Sequence, residues 1–291
     1  MKRCLSCNNC FSSETTICPK CGWKPKINNG LTIYAPEIQE SEKGFKDKYF
    51  EDLIVLENHN FWFSTRNKLI IWALKKYCPT FNSLLEVGCG TGFVLSGIKN
   101  IYSDRSIFGS DPSIVGLSYA KSREPNLLFM QMDACNIPFI DEYDVIGSFD
   151  VLEHIKEDEL ALRQMHDALT FGGHLFITVP QHSWLWSPID EYSCHERRYS
   201  ALEIESKIKK AKFRIIRSTS FVTTLLPAMI LSRLIKSRNR LKFNPKAELE
   251  INSAVNSFLE ICLHIELIGI RLGMCYPFGG SRLIIAEKIT R

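Results

Sequence analysis

The sequence predicts a doubly wound α/β fold, on three observations. The stretch from Leu84 to Leu95, LLEVGCGTGFVL, combines an apolar run, an acidic residue, three glycines at alternate positions and a second apolar run. This pattern is typical of a buried strand, a tight turn and the start of a helix. Strand-like and helix-like segments then alternate with short connections, as in a mostly parallel sheet. The chain has 291 residues, 45% of them apolar, which suffices for one large core with appendages.

The glycine-rich stretch is predicted to line a small-molecule site, with Gly88, Gly90 and Gly92 as its floor. Glycines serve there because a backbone that turns sharply and must let a ligand come close cannot carry Cβ atoms. The dinucleotide fingerprint has the spacing GxGxxG. This stretch has GxGxG and places Phe93 where the third glycine would have to stand, so a dinucleotide is disfavoured.

Acidic residues close the next three predicted strands. The strand RSIFGSD ends at Asp111, LLFMQMD ends at Asp133, and YDVIGSFD ends at Asp150. The carboxyl ends of parallel strands meet at the edge where open α/β sheets bind ligands, and an acid after the second strand can accept both hydroxyls of a ribose. The alternative is that such acids are ordinary helix caps.

Together these motifs resemble those of the class I S-adenosylmethionine-dependent methyltransferases. The stretch is similar to the family's ExGxGxG motif, and GSDPSIVGLSYA and DVLEHI resemble its later motifs in register. The resemblance implies a Rossmann-like, seven-stranded sheet whose last strand, SRLIIAEK, lies antiparallel between strands five and six. It also implies S-adenosylmethionine as the cofactor. The residues that it assigns to this cofactor are Glu86, Gly88, Gly90 and Gly92 for the methionine end and the turn, Asp111 for the ribose, Asp133 with Ala134 for the adenine, and Asp150.

Residues 1–26 are predicted to form an N-terminal zinc ribbon. Five of the eleven cysteines crowd between positions 4 and 21. No apolar segment typical of a secretory signal follows the start methionine, so we expect a cytoplasmic protein, and a reducing compartment favours metal over disulfides for such a cluster. Four thiolates leave no open coordination position, so the zinc is expected to be structural.

The cysteine spacing of the ribbon allows two sets of zinc ligands. Cys18 and Cys21 form one CxxC pair, while the other pair is Cys4 with Cys7 or Cys7 with Cys10. The residue after the second cysteine usually adopts a left-handed conformation, which suits Asn8 better than Phe11. The expected ligands are therefore Cys4, Cys7, Cys18 and Cys21, with Cys10 as the alternative.

Residues 27–48 are predicted to be a linker, since they are rich in turn residues, with LTIYAP as one short extended piece and a helix starting near Phe45. The methyltransferase domain is expected to occupy residues 49–291. Its first segment, from Tyr49 to Tyr77, is aromatic and apolar on one side. It either packs in the core or forms a lid over the active site, and the residues of that lid would be His59, Phe61, Trp62 and Arg66.

Substrate specificity is expected to lie in the stretch from Pro180 to Tyr199, which leaves the fifth strand beside the position of the transferred methyl group. A similar run occurs in a bacterial, largely uncharacterised subgroup of these methyltransferases. Methyl transfer depends mainly on positioning, and a base matters only when the acceptor must lose a proton. A histidine can supply a neutral nitrogen near pH 7, so the candidate catalytic residues are His154 and His195, with His182 behind them.

The candidate substrate-binding residues of this stretch are Trp186, Arg197, Arg198 and Tyr199. The arginines could bind an anionic acceptor in bidentate fashion. They could equally be ion partners of the nearby Glu191 and Glu196, and each histidine could equally serve a structural hydrogen bond.

Two apolar helices between strands six and seven form an insertion, about residues 221–275. A basic segment between them, from Arg233 to Lys246, has no acid. An apolar face beside basic residues can lie on an anionic membrane, while the alternative is a helical cap over the acceptor pocket or a dimer contact. No uninterrupted apolar run reaches the roughly 20 residues of a spanning helix.

The sequence thus predicts a methyltransferase whose acceptor is a small or lipid-linked molecule. The net charge of +4, which the first 26 residues account for, is too small to indicate nucleic acid by itself. One alternative is an RNA or protein methyltransferase that uses the ribbon to bind its substrate. Another is a protein that binds S-adenosylmethionine without turnover.

Overall fold

A computed structural model of the chain describes residues 1–40, 47–236 and 251–290. The predicted helix start at Phe45 and most of the basic segment between the last two helices lie outside these ranges. The strands are β1 Lys2–Arg3, β2 Cys10–Phe11, β3 Lys26–Asn28, β4 Leu31–Ile33, β5 Ser83–Val87, β6 Ser106–Asp111, β7 Leu128–Gln131, β8 Tyr143–Phe149, β9 Leu169–Pro180, β10 Phe213–Phe221 and β11 Ser281–Lys288. The helices are α1 Asp47–Leu56, α2 Phe61–Tyr77, α3 Phe93–Ile101, α4 Ile114–Arg123, α5 Asp158–Ala168, α6 Pro188–Tyr192, α7 Ala201–Lys210, α8 Leu226–Lys236 and α9 Ser253–Arg271.

The main sheet has nine strands in the order β10-β11-β9-β8-β5-β6-β7-β4-β3. Strands β4 to β9 pair in parallel, and β11 pairs antiparallel with both β9 and β10. The predicted Rossmann-like order of seven strands, with the last inserted between the fifth and the sixth, is therefore confirmed.

Helices cover both faces of the sheet, because side chains of successive strand residues point to opposite sides. Leu84 belongs to one buried cluster with side chains of α2, α3, α4 and α9, whereas its neighbour Leu85 belongs to the other with side chains of α5 and α7. The sheet is thus buried between two helical layers, as expected for a doubly wound fold.

Part of the predicted linker belongs to the sheet instead, which corrects that assignment. Strands β3 and β4 form a hairpin whose turn is Asn29 and Gly30, both left-handed with φ of 48° and 74°, and β4 pairs with β7. Such a turn between two extended runs is a hairpin signal. The hairpin lies at the start of the segment that was predicted to be a linker. Of the predicted extended piece LTIYAP, only Leu31–Ile33 forms a strand, β4.

Gly172 and Gly173, a pair that is typical of a helix stop, do not interrupt regular structure after α5. The helix ends at Ala168, and β9 begins at Leu169 and runs through Gly172 and Gly173. Its pairing with β8 shifts register between Tyr143 and Val145. Gly172 has a φ of 78°, so the glycines accommodate an irregularity in which β9 advances from Leu169 to His174 while β8 advances only from Tyr143 to Val145.

The ribbon packs against the main domain. Its strands β1 and β2 pair with each other, and Lys2 forms an isolated bridge with Phe139. The Arg3 amide donates to the carbonyl of Pro138, and the Arg3 guanidinium donates to Gln164 at 2.6 Å. The ribbon is therefore attached to the face of the sheet that carries α5.

Helix α9 packs one face on α2, with Leu263, Leu267 and Ile270 buried. Within the described residues it is the one helix whose length and apolar composition would suffice to cross a membrane, although 28% of its apolar window is buried inside the protein. Glu266 on the inner face accepts hydrogen bonds from the amides of Thr223 and Thr224, both at 2.8 Å. Helix α9 is thus anchored to the domain by its inner face.

Candidate active site

A cavity of about 1310 Å³ opens at the carboxyl ends of the parallel strands. Its floor is the glycine turn after β5, and the chain segments that follow β6, β7, β8 and β9 form its sides. Helices α1, α2 and α8 form its remaining wall. Of the predicted site residues, those that line the cavity are Glu86, Gly88, Gly90, Asp111, Asp133, Ala134, Asp150, His154, His195 and Arg198.

The glycine turn has the backbone that its sequence predicts. Gly88, Gly90 and Gly92 have φ values of 78°, 50° and 74°, which other residues rarely adopt. A Cβ atom at Gly88 would collide with the side chain of Val151, whereas one at Gly90 would have only Phe50 near it, at 3.8 Å. The floor at Gly90 is therefore open to a ligand.

Asp111 lies at the end of β6 and fixes the turn. Its Oδ2 accepts from the Gly90 amide at 2.9 Å and its Oδ1 from the Ser113 amide at 2.8 Å. Burial raises the pKa of Asp111 to about 6, while these two amides oppose the rise. The carboxylate can still accept hydrogen bonds, since each of its oxygens has a second lone pair.

Asp133 and Glu86, two further acids predicted to bind the cofactor, have different surroundings. Asp133 caps its own turn by accepting from the Cys135 amide at 2.8 Å, beside Ala134. Glu86 is buried, and among the described residues its Oε2 has no hydrogen-bond partner. Burial raises the pKa of Glu86 well above its ordinary value. An unpaired buried oxygen that faces a cavity is suited to a polar ligand group.

Asp150 stands at the end of β8 with a left-handed backbone, φ 58°. Its Oδ2 accepts from the Thr178 hydroxyl at 3.1 Å and forms an ion pair with Arg66 of α2. The Arg66 guanidinium in turn lies 4.5 Å from the centre of the Trp62 ring. This contact holds α2 against the end of β8.

Glu153 and His154 follow on a short 3-10 helix, Leu152–His154. Glu153 has no exposed surface, and neither carboxylate oxygen has a hydrogen-bond partner among the described residues. Burial, and then the neighbouring Asp150, raise the pKa of Glu153 well above its ordinary range. Burial and the nearby His195 lower the pKa of His154 to about 3, so its imidazole is neutral near pH 7.

His195 is held by a buried carboxylate. Its Nδ1 lies 2.8 Å from Asp190 Oδ1, and its ring meets that of His154 edge to face at 4.7 Å. Asp190 has no exposed surface and also accepts from Arg198 Nε at 2.7 Å. Burial would raise the pKa of Asp190, but His195 and Arg198 lower it to about 2. Asp190 is therefore ionised and orients His195.

Three of the predicted substrate-binding residues do not line the cavity. Arg197 pairs with Asp158 at 3.0 Å, and the Tyr199 hydroxyl donates to the same carboxylate at 2.7 Å. Trp186 is partly exposed and faces Glu191. Arg198 alone of the four lines the cavity, and it is paired with Asp190 rather than with either of the two glutamates that the sequence suggested. Substrate binding by these residues stays a prediction.

The aromatic segment at the start of the domain combines both interpretations. Phe61, Trp62, Phe63 and Arg66 all line the cavity, and Phe63 is at the same time buried and packs edge to face on Trp62. His59 is exposed and is not among the lining residues. Helix α2 is therefore part of the core and forms one wall of the site.

Glu57 is a cavity residue that the sequence did not single out. It lies just after α1, and its two carboxylate oxygens accept from the Thr91 hydroxyl at 2.7 and 2.6 Å. Arg123 Nη2 donates to it at 3.0 Å. Glu57 thus ties α1 to the glycine turn, and no local pattern around it predicts this role.

The ribbon cysteines meet as predicted. The Sγ atoms of Cys4 and Cys21 are 3.6 Å apart, those of Cys7 and Cys18 are 3.7 Å apart, and all four lie within 4.8 Å of one another. Asn8 and Gly22 are both left-handed. Sulfur atoms at about 2.3 Å from one zinc ion have this spacing, so the cluster fits a closed tetrahedral site. Cys10 is exposed on β2 and does not belong to the cluster.

Residues 85–177 match a family model described as a methyltransferase domain. A protein of Mycobacterium tuberculosis, named a probable S-adenosylmethionine-dependent methyltransferase, is 27% identical over 163 residues, which cover 54% of this chain and 57% of the relative. The chain therefore spans little more than half the length of the curated relatives that it matches. The resemblance between the central segment and the methyltransferases is confirmed.

Two solved structures share the fold. Phosphoethanolamine N-methyltransferase 2 of Haemonchus contortus, in complex with S-adenosyl-L-methionine, has a TM-score of 0.55 and 19% identity over 84% of this chain and 58% of that chain. A chain of the Haloferax volcanii complex between the Trm112 methyltransferase activator and a methyltransferase has a TM-score of 0.56 and 16% identity over 86% of this chain and 100% of that chain. At these identities the likeness shows the fold, which is that of class I methyltransferases.

Proposed function

We propose that the protein is an enzyme that transfers a methyl group from S-adenosylmethionine to a small or lipid-linked acceptor. The observation that carries the proposal is that one cavity holds both the glycine turn with its strand-end acids and a polar cluster of Glu153, His154 and His195. The first set suits the methyl donor, and the second lies where an acceptor would enter.

The residues of the donor side fit S-adenosylmethionine. Gly90 leaves room for the ligand against the backbone, Asp111 can accept the ribose hydroxyls, and the unpaired Oε2 of Glu86 can accept from the methionine end. Asp133 and Ala134 border the part of the cavity assigned to the adenine. Asp150, between the two sides, would contact the donor where its sulfur meets the acceptor.

S-adenosylmethionine supplies an electrophilic methyl group on a sulfonium sulfur. The protein then has to bring an acceptor atom in line and exclude competing water, which is a matter of positioning. His154 and His195 are the candidate catalytic residues. His154 is neutral near pH 7 because of its lowered pKa. Asp190 contacts Nδ1 of His195, so Nε2 of that ring points away from Asp190. Of the two imidazoles, that of His195 is the better proton acceptor for an acceptor hydroxyl or amine, because the lowered pKa makes His154 a weak base.

An exposed apolar stripe on α9 supports a lipid-linked acceptor. Val255, Phe258, Ile261, Ile265 and Ile268 recur at intervals of three or four residues and are each about half exposed or more. Residues at this spacing share one helix face, and the opposite face is packed on α2. A helix with one buried and one exposed apolar face beside a basic segment can lie on an anionic membrane. We therefore propose a cytoplasmic enzyme that contacts the membrane peripherally.

Calorimetry on zinc-loaded, full-length protein tests the donor site. We expect S-adenosylmethionine to bind the wild type and not the variant Gly90→Leu, whose side chain would occupy the floor of the cavity. Gly172→Leu is the matched control, because Gly172 also has a positive φ but has open space around it. No binding by the wild type, or equal binding by both variants, would refute the proposed function.

Flotation with vesicles tests membrane contact separately. We expect the wild type to float with vesicles of phosphatidylserine and phosphatidylcholine and to remain in solution with phosphatidylcholine alone. Phe258→Asp should weaken flotation, whereas Leu202→Asp, at an exposed apolar residue on α7, should not. A wild type that stays in solution with both kinds of vesicle would discard the membrane contact but not the methyltransferase activity.

A further inference from the structure

We infer that Glu153, His154 and His195 form a binding site for one divalent transition-metal ion, which would hold a hydroxyl acceptor beside the methyl donor. The part concerning the acceptor rests on the proposed function. The metal site itself does not, since it follows from three side chains that meet in the cavity.

The three residues offer one ligand atom each, and these atoms all lie within 4.8 Å of one another. Ligands at about 2.1 Å from one ion lie at most about 4.2 Å apart. The side chains therefore need to move by less than about 1 Å to bind a common ion. They come from the 3-10 helix after β8 and from the loop after α6, and these two segments are joined by the Glu196 amide, which donates to the Glu153 carbonyl at 2.7 Å.

Glu153 supplies an independent indication. Its residue has no exposed surface, and both carboxylate oxygens lack a hydrogen-bond partner among the described residues. A buried carboxylate without partners is costly, and buried charges are generally paired or coordinate a metal. A cation between Glu153 and the two imidazoles would supply the missing partner.

The surroundings of His195 are those of a metal ligand. An ionised Asp190 accepts the Nδ1 proton, so Nε2 carries the lone pair and is directed away from Asp190. A ligating histidine commonly donates its second N–H to a carboxylate in this way, which fixes its tautomer and strengthens its basicity. Asp190 is held in place by Arg198 and by the amide and hydroxyl of Ser187, at 2.8 and 2.9 Å.

Nearby positive charges do not oppose a cation. Arg198 is paired with Asp190, and Arg66 is paired with Asp150. Both guanidinium groups are thus neutralised by carboxylates other than Glu153. The carboxylate of Glu153 remains available for the ion.

The ligand set selects the kind of metal. Two imidazole nitrogens and one carboxylate oxygen suit manganese, iron, cobalt or zinc, whereas magnesium and calcium prefer oxygen ligands alone. Three protein ligands leave positions open for other molecules, in contrast to the four thiolates of the ribbon.

An open position on the ion would take an oxygen ligand, so the acceptor class is a hydroxyl compound. Binding to the cation lowers the pKa of the hydroxyl, and its proton leaves to solvent water, because both imidazoles use their lone pairs to bind the ion and neither then serves as the base. The oxygen then forms a bond to the methyl carbon with one of its lone pairs. The bond between that carbon and sulfur breaks, its electron pair stays on sulfur, and the sulfonium becomes a neutral thioether. The reaction is therefore O-methylation, and the metal does not change its oxidation state.

Manganese is the probe that tests the site. Mn²⁺ is added to full-length protein that holds one equivalent of zinc, which the four thiolates of the ribbon retain so that none is left for the second site, and free Mn²⁺ is followed by electron paramagnetic resonance. The ribbon should not compete, because thiolates prefer zinc. We expect one Mn²⁺ per chain, a loss of at least about 10-fold in affinity for Glu153→Gln and for His195→Ala, and a loss of about 10- to 100-fold for Asp190→Asn, as is typical when the partner of a ligating histidine is removed.

The control is His174→Ala, whose histidine lies on β9 outside the cavity lining, and which should bind Mn²⁺ like the wild type. Glu153→Gln preserves shape, and its melting temperature shows whether it folds. Absence of Mn²⁺ binding, or equal affinity in the folded Glu153→Gln variant, would overturn the metal site. Calorimetry with S-adenosylhomocysteine on the same samples separates the two proposals, because donor binding without Mn²⁺ binding refutes only the metal.

Discussion

The donor side and the acceptor side of the cavity satisfy their acids in opposite ways. On the donor side, Asp111 and Asp133 accept from backbone amides within two residues of themselves, and Asp111 also accepts from the glycine turn. Asp150, where the two sides meet, depends on Arg66 of α2, and Asp190 on the acceptor side combines Arg198 with the amide and hydroxyl of Ser187. Neither carboxylate oxygen of Glu153 has a hydrogen-bond partner among the described residues. Asp111 and Asp133 are thus held by their own turns, whereas Asp150 is held by a side chain far away in the sequence.

This difference indicates which carboxylates keep their position independently of the rest of the fold. A carboxylate held by its own turn keeps its position whenever the strand and the turn are formed. A carboxylate held by Arg66, 84 residues away, keeps its position only when α2 is docked. Substitution of Asp111 should therefore act through ligand affinity, and substitution of Arg66 through stability of the fold.

The largest effect on stability is expected for Arg66→Ala. It leaves Asp150 unpaired where its side chain is only 17% exposed, and removal of one partner of a buried pair costs about 3–5 kcal/mol. Urea unfolding measures the loss. Arg214→Ala removes a partner of Glu287 at an exposed pair and should cost below about 1 kcal/mol. Equal costs for the two variants would contradict the dependence of the acceptor side on α2.

On the donor side, Asp111→Asn should weaken S-adenosylmethionine binding by about 10- to 100-fold, because hydrogen bonds to a charged acceptor are worth about 1.5–3 kcal/mol. The protein should still fold, since the asparagine oxygen can accept one of the two amides. Calorimetry at pH 7.5 checks the affinity. Asp104→Asn, at an exposed residue, is the control.

The same residue predicts a dependence on pH. The pKa of Asp111 is raised to about 6, so the ionised form that accepts ribose hydroxyls is lost as the pH falls through 6. Donor affinity should decline between pH 7 and pH 5 in the wild type, with a flatter profile in Asp111→Asn. The stability of the ligand-free protein should instead rise over the same range. A carboxyl group whose pKa is raised by folding binds its proton more tightly in the folded state, so protonation at Asp111 favours that state as the pH falls from about 6 to the unfolded value near 4. If donor affinity depends on pH in the same way in the wild type and in Asp111→Asn, Asp111 does not titrate at the site.

A smaller effect on stability is expected for Asp158→Asn. Burial would raise the pKa of Asp158, but the Lys207 ammonium at 2.5 Å, Tyr199 and Arg197 lower it overall. Its ion pairs therefore stabilise the protein above the unfolded pKa of about 3.9, and this contribution is lost as the pH falls through the lower folded value. We expect a loss of about 2 kcal/mol at pH 7 that shrinks below about pH 4, as followed by urea unfolding. A loss that is constant with pH would point to packing rather than charge.

The smallest effect on stability is expected for Ile265→Ser on the exposed stripe of α9. Surface substitutions usually change the unfolding free energy by less than about 0.5 kcal/mol. Leu267→Ala, on the buried face of the same helix, should cost about 2–5 kcal/mol. Thermal unfolding of both variants shows whether the outer face is free of core contacts.

The sequence predicts the donor side well because its signals are local. Three glycines and the acids after each strand identify the turn and the edge of the sheet, and the structure places nearly all of them around the cavity. The cysteine spacing, together with the residues that follow Cys7 and Cys21, predicts the ribbon cluster for the same reason. Each signal is contained in a few adjacent residues.

The acceptor side is less predictable because the partner of each charged side chain depends on which residues surround it in the folded protein. Arg197 and Arg198 are adjacent in the chain, yet one pairs with Asp158 and the other with Asp190. The isolation of Glu153 depends on what surrounds it in space, and no residue beside it in the sequence indicates that isolation. The hairpin of β3 and β4 is a different case, since its Asn-Gly turn was a local signal within a segment whose composition suggested a linker.

The position of β11 has a consequence for biosynthesis. Residues 281–288 insert between β9 and β10, so those two strands have no partner on their facing edges until this late segment has left the ribosome. Unpaired strand edges can template association with other chains. Folding of this half of the sheet must therefore wait until residues 281–288 have been synthesised, and a nascent chain arrested before residue 281 should depend on chaperones to remain soluble.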